Sequence, residues 1–502
     1  MQRVRFLGAI VAAAMLTAPV LAAELKIGLA EDADTLDPAQ SRTFVGRIVY
    51  TALCDKLVDV TPKLEIVPQL ATSWAWSDDG MSLTMTLREG VKFHDGTAMD
   101  AEAVVATIKR NLTLTESRRK SELSSVADVV ATGPLQVRFQ LKAPDATLLA
   151  QLADRAGMIV SPTAAKALGA NFGSHPVCAG PFEFVERIQQ DRIVLKRFAD
   201  YWNKDHVKLD KVTYLPIVDN TVRLANLRAG DLDMMERLAP TDIGTIKSDP
   251  KLTFAKAIGI GYMGLYANIA NGPRANNPFG RDKRVRQAFS LAIDREALNQ
   301  IVFDGTALAG NQPYPPTSPW FNSALPVPER DISKAKALLK AAGQELVYIE
   351  LQTSNNPIMM QQMQAVQAMV AEAGFDVRLK TMEFATLLNS QSAGTYDLSR
   401  TDWSGRVDPD GNLHQFVTCA GGLNDEKYCN PKVDELLNDA RRSIDPKVRK
   451  AKYDEAAVIL DDELPVIYLG HTAWLWAFNK KVTGFVPSPD GMIRLLDVTN
   501  GN

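Results

Sequence analysis

Apolar and polar residues alternate with a period of two in several short stretches of the first half of the chain, and this pattern predicts strands. The clearest stretches are residues 81–87, 135–141 and 192–198, because successive side chains of a strand face opposite sides of a sheet. An Asp-Asp-Gly turn at 78–80 precedes the first of them and predicts a hairpin. The sequence LKIGLA at 25–30 predicts a first, buried strand.

Apolar residues that recur every three or four positions predict amphipathic helices at 101–111 and 219–229. In the second half of the chain, a strand at 346–352 is followed by a helix at 358–373 and another strand at 376–382. Strand, helix and strand at this spacing predict a βαβ unit. We therefore expect an α/β fold whose second part has a partly parallel sheet.

The first residues have the three parts of a secretory signal peptide. Arg3 and Arg5 precede an apolar run at 6–16, and small residues that suit cleavage follow at 20–23. We predict a cleaved signal peptide at 1–22 and export to the periplasm. A membrane anchor is the alternative, but the apolar run is shorter than the ~20 residues of a membrane span. No cysteine lies near the cleavage site, so we do not expect a lipoprotein.

The length and net charge of the mature chain limit the classes of function that it can have. The mature chain is longer than a single hydrophobic core usually supports, so we expect at least two lobes. The net charge is −3, and loss of Arg3 and Arg5 takes it to −5. This mild acidity argues against a nucleic-acid partner, which needs a basic patch. No cofactor is expected.

Four cysteines in an exported chain predict disulfides. Cys419 and Cys429 enclose a short loop that contains Gly, Asn and Asp, and they are the stronger pair, which leaves Cys54 with Cys178. A metal site made by the four thiols is the alternative. It is disfavoured because the sequence has no C-x-x-C spacing.

Residues 75–100, AWSDDGMSLTMTLREGVKFHDGTAMD, join the predicted hairpin to a VKFHDGT turn. This stretch closely resembles the signature of the family 5 extracytoplasmic solute-binding proteins. Other segments resemble motifs of that family in the family's order: TLDP at 35–38, RFADYWNKDHVKLDKVTY at 197–214, LRAGDLDMM at 227–235, VRQAFSLAIDRE at 285–296 and LPVIYL at 464–469. Their ordered succession is far more specific than any single motif.

The resemblance implies a two-lobed α/β periplasmic binding protein fold, type II-like and of cluster C, with an extra β-rich subdomain in the first lobe. Lobe I would hold residues 24–264 and 478–502, with the subdomain within about 45–180. Lobe II would hold residues 265–477.

The resemblance also implies a function. The protein would be the periplasmic solute-binding component of an ABC importer that captures a small peptide or peptide-like polar solute between its lobes. It would deliver the solute to permease subunits, with their ATPases, in the inner membrane. A monomer is expected. An opine, a sugar conjugate or a metal chelate in the same transport role is the alternative solute.

The segment at 401–416 is the best candidate for solute contact. In peptide-binding branches of the family, a Trp here is followed three positions later by an Asp that pairs with the peptide amine. Trp403 matches, but Arg406 occupies the place of the Asp, and Thr353 stands where some peptide binders have an Arg for the peptide carboxylate. A guanidinium suits a carboxylate or phosphate and cannot pair with an ammonium. Arg406 therefore predicts an acidic or hydroxyl-rich group on the solute.

Four more residues are candidates for the solute site. Asp408 is a candidate for an amine of the solute, and an ion pair between Arg406 and Asp408 is the structural alternative. Thr43, Phe44 and Tyr262 are candidates for the walls of the cleft, with ordinary packing as the alternative for each. Asp410 is expected to be structural.

One motif favours an enzyme. Ser117 and Lys120 satisfy the S-x-x-K motif of β-lactamases and penicillin-binding proteins, but the S-D-N and K-T-G motifs that accompany it there are absent. The G-x-S-x-G and H-E-x-x-H motifs are absent too. We therefore do not expect an enzyme, and a periplasmic hydrolase is the remaining alternative.

Overall fold

The computed structural model describes residues 23–501, so the predicted signal peptide at 1–22 lies outside the described residues. The strands are β1 (Glu24–Leu29), β2 (Val58–Val60), β3 (Ile66–Pro68), β4 (Ala71–Trp76), β5 (Ser82–Leu87), β6 (Val126–Gly133), β7 (Gln136–Leu141), β8 (Phe182–Ile188), β9 (Arg192–Arg197), β10 (Lys211–Pro216), β11 (Met234–Glu236), β12 (Leu252–Ile258), β13 (Tyr262–Ala267), β14 (Leu308–Ala309), β15 (Val347–Ser354), β16 (Phe375–Met382), β17 (Leu398–Trp403), β18 (Val466–His471), β19 (Ala473–Asn479), β20 (Val482–Thr483) and β21 (Thr499–Asn500).

The α-helices are α1 (Phe44–Leu53), α2 (Ala101–Thr113), α3 (Leu148–Leu152), α4 (Pro162–Leu168), α5 (Asn220–Ala229), α6 (Ile243–Ser248), α7 (Pro278–Arg281), α8 (Lys283–Ala292), α9 (Arg295–Phe303), α10 (Ile332–Ala341), α11 (Pro357–Ala371), α12 (Phe384–Ser392), α13 (Asp410–Val417), α14 (Pro431–Arg442) and α15 (Pro446–Glu463). None of the helices among residues 23–501 has both the length and the apolar character that a membrane span requires.

The first large sheet has the strand order β12-β19-β11-β1-β10-β9-β8. Strand β1 runs parallel to both β10 and β11, so the carboxyl ends of these three strands lie at one edge. Helix α1 packs its buried face into the core of this sheet together with the C-terminal tail, which contributes Met492, Ile493 and Leu495. The side chain of Thr43 caps α1 by accepting the backbone N–H of Gly46.

The second large sheet has the order β14-β18-β13-β17-β15-β16. Strand β15 runs parallel to β16 and to β17, and α11 connects β15 to β16. Asn356 caps α11, and Pro357 occupies its first turn, where a missing N–H costs nothing. The predicted βαβ unit and partly parallel sheet are thus confirmed.

A four-stranded antiparallel sheet, β4-β5-β7-β6, lies inside the range predicted for the subdomain. The predicted hairpin is its β4–β5 pair. This sheet has a hydrophobic core of its own, which runs from Leu57 to Ala179 and includes Phe93 and Phe139.

Two chain crossings join the large sheets, at residues 259–261 and at Thr472. They lie side by side, because Gly259 N–H donates to the carbonyl of Thr472 at 2.9 Å. His471 Nδ1–H donates to the carbonyl of Gly261 at 2.7 Å. The crossings differ from the lobe boundaries that the motifs suggested. Residues 262–264, predicted for lobe I, belong to β13 of the second sheet, and residues 473–477, predicted for lobe II, belong to β19 of the first sheet.

Both predicted disulfides are present. Cys54–Cys178 joins the end of α1 to the segment before β8, and Cys419–Cys429 closes the loop after α13. No cysteine among the described residues is left free to form a metal site.

Candidate functional site

The edges of the two large sheets face each other at the chain crossings. Strand β1 ends at this edge of the first sheet, and the polar segment 30–43 follows it; β17 ends at the corresponding edge of the second sheet, and the loop 404–409 follows it. In open α/β sheets, ligands bind outside the carboxyl ends of the strands. The candidate site is therefore the cleft between these two segments.

Two buried ion pairs anchor the loop after β17. Asp408 binds Arg449 through both oxygens, at 2.6 and 2.8 Å, and only 9% of Asp408 is exposed. Burial opposes the positive charge of Arg449, but its bonds to Asp408 outweigh this effect and raise the pKa of Arg449. Asp410 binds Arg441 in the same bidentate way, at 2.6 and 3.0 Å. The structural alternative of an Arg406–Asp408 pair was wrong, because Arg449 is the partner of Asp408. Asp410 has the structural role that was expected of it.

The loop packs directly against the first chain crossing. A Cβ at Gly261 would lie 1.8 Å from the carbonyl oxygen of Trp403, so no larger residue fits there. Gly405 has a φ of +86°, and its Cα faces the backbone of Ile260. The positions of the loop and of the crossing thus depend on each other.

Trp403, the last residue of β17, and Arg406, in the loop that follows, lie next to each other. Both are partly buried, and the Arg406 guanidinium lies 4.5 Å from the centre of the Trp403 ring. Arg406 Nη1 donates to the carbonyl of Gly405 at 2.8 Å, and no carboxylate among the described residues forms an ion pair with it. Burial and the nearby guanidinium of Arg47 lower the pKa of Arg406 to about 10, so it stays charged at neutral pH.

The opposite wall carries Arg47, on α1, and Asp154. Arg47 binds Asp154 through two contacts, 3.1 Å from Nε to Oδ1 and 3.0 Å from Nη2 to Oδ2. Burial opposes ionisation of Asp154, but the guanidiniums of Arg47, Arg155 and Arg406 hold its pKa far below the usual range. Asp154, whose charge acts on Arg406, is therefore already bound to Arg47.

Arg155 shares the Asp154 carboxylate with Arg47 and reaches it only through a long contact. Its Nη1 donates to the carbonyl of Ser41 at 2.9 Å, while its buried Nε has no hydrogen-bond partner and lies 3.8 Å from Asp154 Oδ1. Burial and the neighbouring Arg119 lower the pKa of Arg155 to about 10.

The charges around Asp154 do not balance. Four guanidiniums interact here, those of Arg47, Arg119, Arg155 and Arg406, with the carboxylates of Asp154 and Glu122, and Arg47 also interacts with Asp490. Arg119 binds Glu122 and Arg47 binds Asp154, so Arg155 and Arg406 are the two guanidiniums of this group that make no short ion pair with a carboxylate. Arg155 follows α3 in the first half of the chain, and Arg406 follows β17 in the second.

The other candidates from the sequence divide into two groups. Phe44 is partly buried and stacks on Trp474, with ring centres 4.4 Å apart, while Thr43 donates to Asp34 Oδ1 at 2.9 Å. These two lie at the start of α1, near Arg47. Tyr262 and Thr353 are almost fully buried: Tyr262 packs against Phe416 and Tyr468 in the core, and the Thr353 hydroxyl has no hydrogen-bond partner. Packing is thus the simpler role for Tyr262 and Thr353.

The comparisons with known proteins identify the family. The model of "Bacterial extracellular solute-binding proteins, family 5 Middle" matches residues 65–424, more than half of the chain. The chain belongs to this family. A family 5 protein of this kind is a solute-binding component of an ABC importer, and such components deliver small ligands to a permease.

Similar proteins cover nearly all of this family 5 protein. The glutathione-binding protein GsiB of Pectobacterium atrosepticum is 29% identical over 99% of this chain and 98% of its own. The structure of DppA from Helicobacter pylori with the peptide STSA has 26% identity and a TM-score of 0.83, and covers 95% of this chain and 98% of its own. That of AgaA from A. tumefaciens with agropinic acid has 26% identity and a TM-score of 0.82, with the same coverage. These matches confirm the two-lobed periplasmic binding protein fold.

The hydrolase alternative finds no support in the geometry. The Ser117 hydroxyl is buried and donates to the carbonyl of Asn111 at 2.6 Å, whereas Lys120 Nζ faces the carbonyl of Thr115. The two side chains are engaged with different groups and do not activate each other, as S-x-x-K chemistry requires.

Proposed function

We propose that this protein captures a small, acidic, peptide-like solute between its two lobes in the periplasm and delivers it to an inner-membrane permease with its ATPases. The proposal is supported by two guanidiniums, those of Arg406 and Arg155, that make no short ion pair with a carboxylate, and we place them on opposite walls of the cleft. A carboxylate that enters between them would form charge-assisted hydrogen bonds with both lobes.

The same charges explain why binding would favour closure. The subdomain touches the second lobe, since Ala146 N–H donates to the carbonyl of Arg441 at 2.8 Å and Val407 packs against the subdomain core. This compact arrangement brings Arg406 near Arg47 and Arg155, which disfavours it when no anion is present. A solute that neutralises these charges prefers the closed form and shifts the population towards it. We place the lobe boundaries at the two crossings, 259–261 and Thr472.

The relatives support an acidic, peptide-like solute. GsiB is named for glutathione, an acidic tripeptide, and the DppA structure contains a peptide. The second candidate is an opine-like acid, because Arg406 replaces the Asp that peptide binders use and the AgaA structure holds agropinic acid. We further propose that the signal peptide at 1–22 is cleaved, that the mature protein is not a lipoprotein, and that it acts as a monomer.

Calorimetric titration of the mature protein with reduced glutathione, and with glutathione whose carboxylates are esterified, tests this proposal. We expect the ester to bind at least tenfold more weakly, because a charged hydrogen bond contributes about 1.5–3 kcal/mol. Agropinic acid, titrated in parallel, tests the second candidate. Equal affinity for the acid and its ester would contradict an acidic solute. A neutral or cationic solute found by native mass spectrometry of protein from its own periplasm would do the same.

A further inference from the structure

Asn412, near the start of α13, uses its whole amide group to fix the loop that carries Arg406. Its Oδ1 accepts from Trp403 Nε1 at 2.9 Å and from the backbone N–H of Arg406 at 2.7 Å. Its Nδ2 donates to the carbonyl of Arg406 at 3.0 Å. Only 3% of Asn412 is exposed, so these contacts do not compete with solvent, and one side chain sets the positions of both Trp403 and Arg406.

The fourth contact of Asn412 reaches the first chain crossing. Its Nδ2 also lies 3.4 Å from the carbonyl oxygen of Ile260. The neighbouring Gly261 is pressed against the carbonyl of Trp403, and Gly405 against Ile260. Asn412 thus binds the loop on one side and the crossing on the other. If solute displaces Arg406, these buried contacts would move the crossing as well.

We propose that Asn412 is the positioning residue that connects solute contact at Arg406 with closure of the lobes. The proposal rests on the function given above, in which Arg406 binds an acidic solute and the lobes move about the two crossings. Asn412 touches no solute itself: it holds Arg406 and Trp403 in the binding position and ties them to Ile260. Without Asn412, a bound solute would still fix the loop, but the loop would no longer fix the angle between the two lobes.

The experiment compares wild type with Asn412→Ala, Asn412→Asp and a matched control, Asn424→Ala. Asn424 is also a buried asparagine of the second lobe, 1% exposed, and its amide binds Thr418 and Tyr428 in the disulfide loop. Hydrogen exchange of the empty mature proteins at 259–261 and 403–407 gives a readout that needs no solute. Calorimetry and small-angle scattering with reduced glutathione give the affinity and the contraction at saturation.

Asn412→Ala should exchange faster in both segments, bind glutathione more than tenfold more weakly, and contract less than wild type even when saturated. Asn412→Asp keeps both acceptor contacts, to Trp403 and Arg406, and loses the donor contacts to the carbonyls of Arg406 and Ile260. Exchange should therefore rise more at 259–261, where no contact remains, than at 403–407, where both acceptor contacts remain. Asn424→Ala should lower the melting temperature about as much as Asn412→Ala does. It should leave the exchange at both segments, the affinity for glutathione and the contraction unchanged.

Two results would overturn the proposal: unchanged exchange at 259–261 in both Asn412 variants, or full contraction of saturated Asn412→Ala. The second would leave Asn412 a purely structural role like that of Asn424. If wild type binds no glutathione, the acidic-peptide assignment fails, and the exchange data on the empty proteins still decide whether Asn412 links the loop to the crossing.

Discussion

Arg406→Ala is expected to weaken binding of reduced glutathione by roughly 10–150-fold, the equivalent of about 1.5–3 kcal/mol for hydrogen bonds to a charged group. The melting temperature of the empty protein should hardly change. The Arg406 side chain contributes little to stability, because its one hydrogen bond goes to the neighbouring Gly405 carbonyl and the backbone bonds to Asn412 are kept in the variant. Its removal also relieves repulsion with Arg47. Calorimetry and a thermal melt of the empty protein measure the two effects.

Arg442→Ala is the matched control for this substitution. Arg442 lies in the same lobe, its side chain is 61% exposed, and its contact with Asp439 is long at 3.9 Å. It should change neither affinity nor stability measurably. Unaltered affinity in Arg406→Ala would remove Arg406 from the site, and a large loss of stability would assign it to the fold instead.

Asp408→Asn should cost about 3–5 kcal/mol of unfolding free energy, since removal of one partner leaves the buried Arg449 guanidinium without its carboxylate. The urea midpoint of the empty protein should fall accordingly. The double variant Asp408→Asn with Arg449→Met should recover part of the loss, because no unpaired charge is then left buried. Asp439→Asn, at a side chain that is 42% exposed, should be close to neutral.

The comparison of affinity with stability decides the role of Asp408. If Asp408→Asn keeps its stability but loses affinity, Asp408 belongs to the solute site after all. If stability falls and the residual folded protein binds glutathione with nearly wild-type affinity, the residue anchors the loop, as its two bonds to Arg449 indicate.

The elements and the fold followed closely from the sequence because their causes are local. Alternation located β5, β7 and β9, and the succession of apolar patterns at 346–352, 358–373 and 376–382 located the βαβ unit. The family resemblance supplied the order of the lobes. The lobe boundaries suggested by the motifs fall inside β13 and β19 and not at the crossings, because the passage of the chain from one sheet to the other has no local signal in the sequence.

The site was predictable only in part. Trp403 and Arg406 stand in a recognisable motif, and their contact with solute stays a prediction. Arg47, Asp154 and Arg155 were missed, since nothing in their own neighbourhoods marks them, and they meet Arg406 only through the packing of distant segments. Asp408 was a candidate for an amine of the solute. Its ion pair with Arg449 could not be predicted, because Arg449 lies 41 positions away in the chain and neither segment contains a local signal for the pair.

Small-angle scattering of the mature protein with and without its solute tests the central claim most directly. We expect the empty protein to be more extended, and a saturating solute to contract it so that its scattering matches the curve calculated from the compact structure described above. Identical curves in both states, with binding verified by calorimetry in the same samples, would contradict a protein whose two lobes close on an acidic solute.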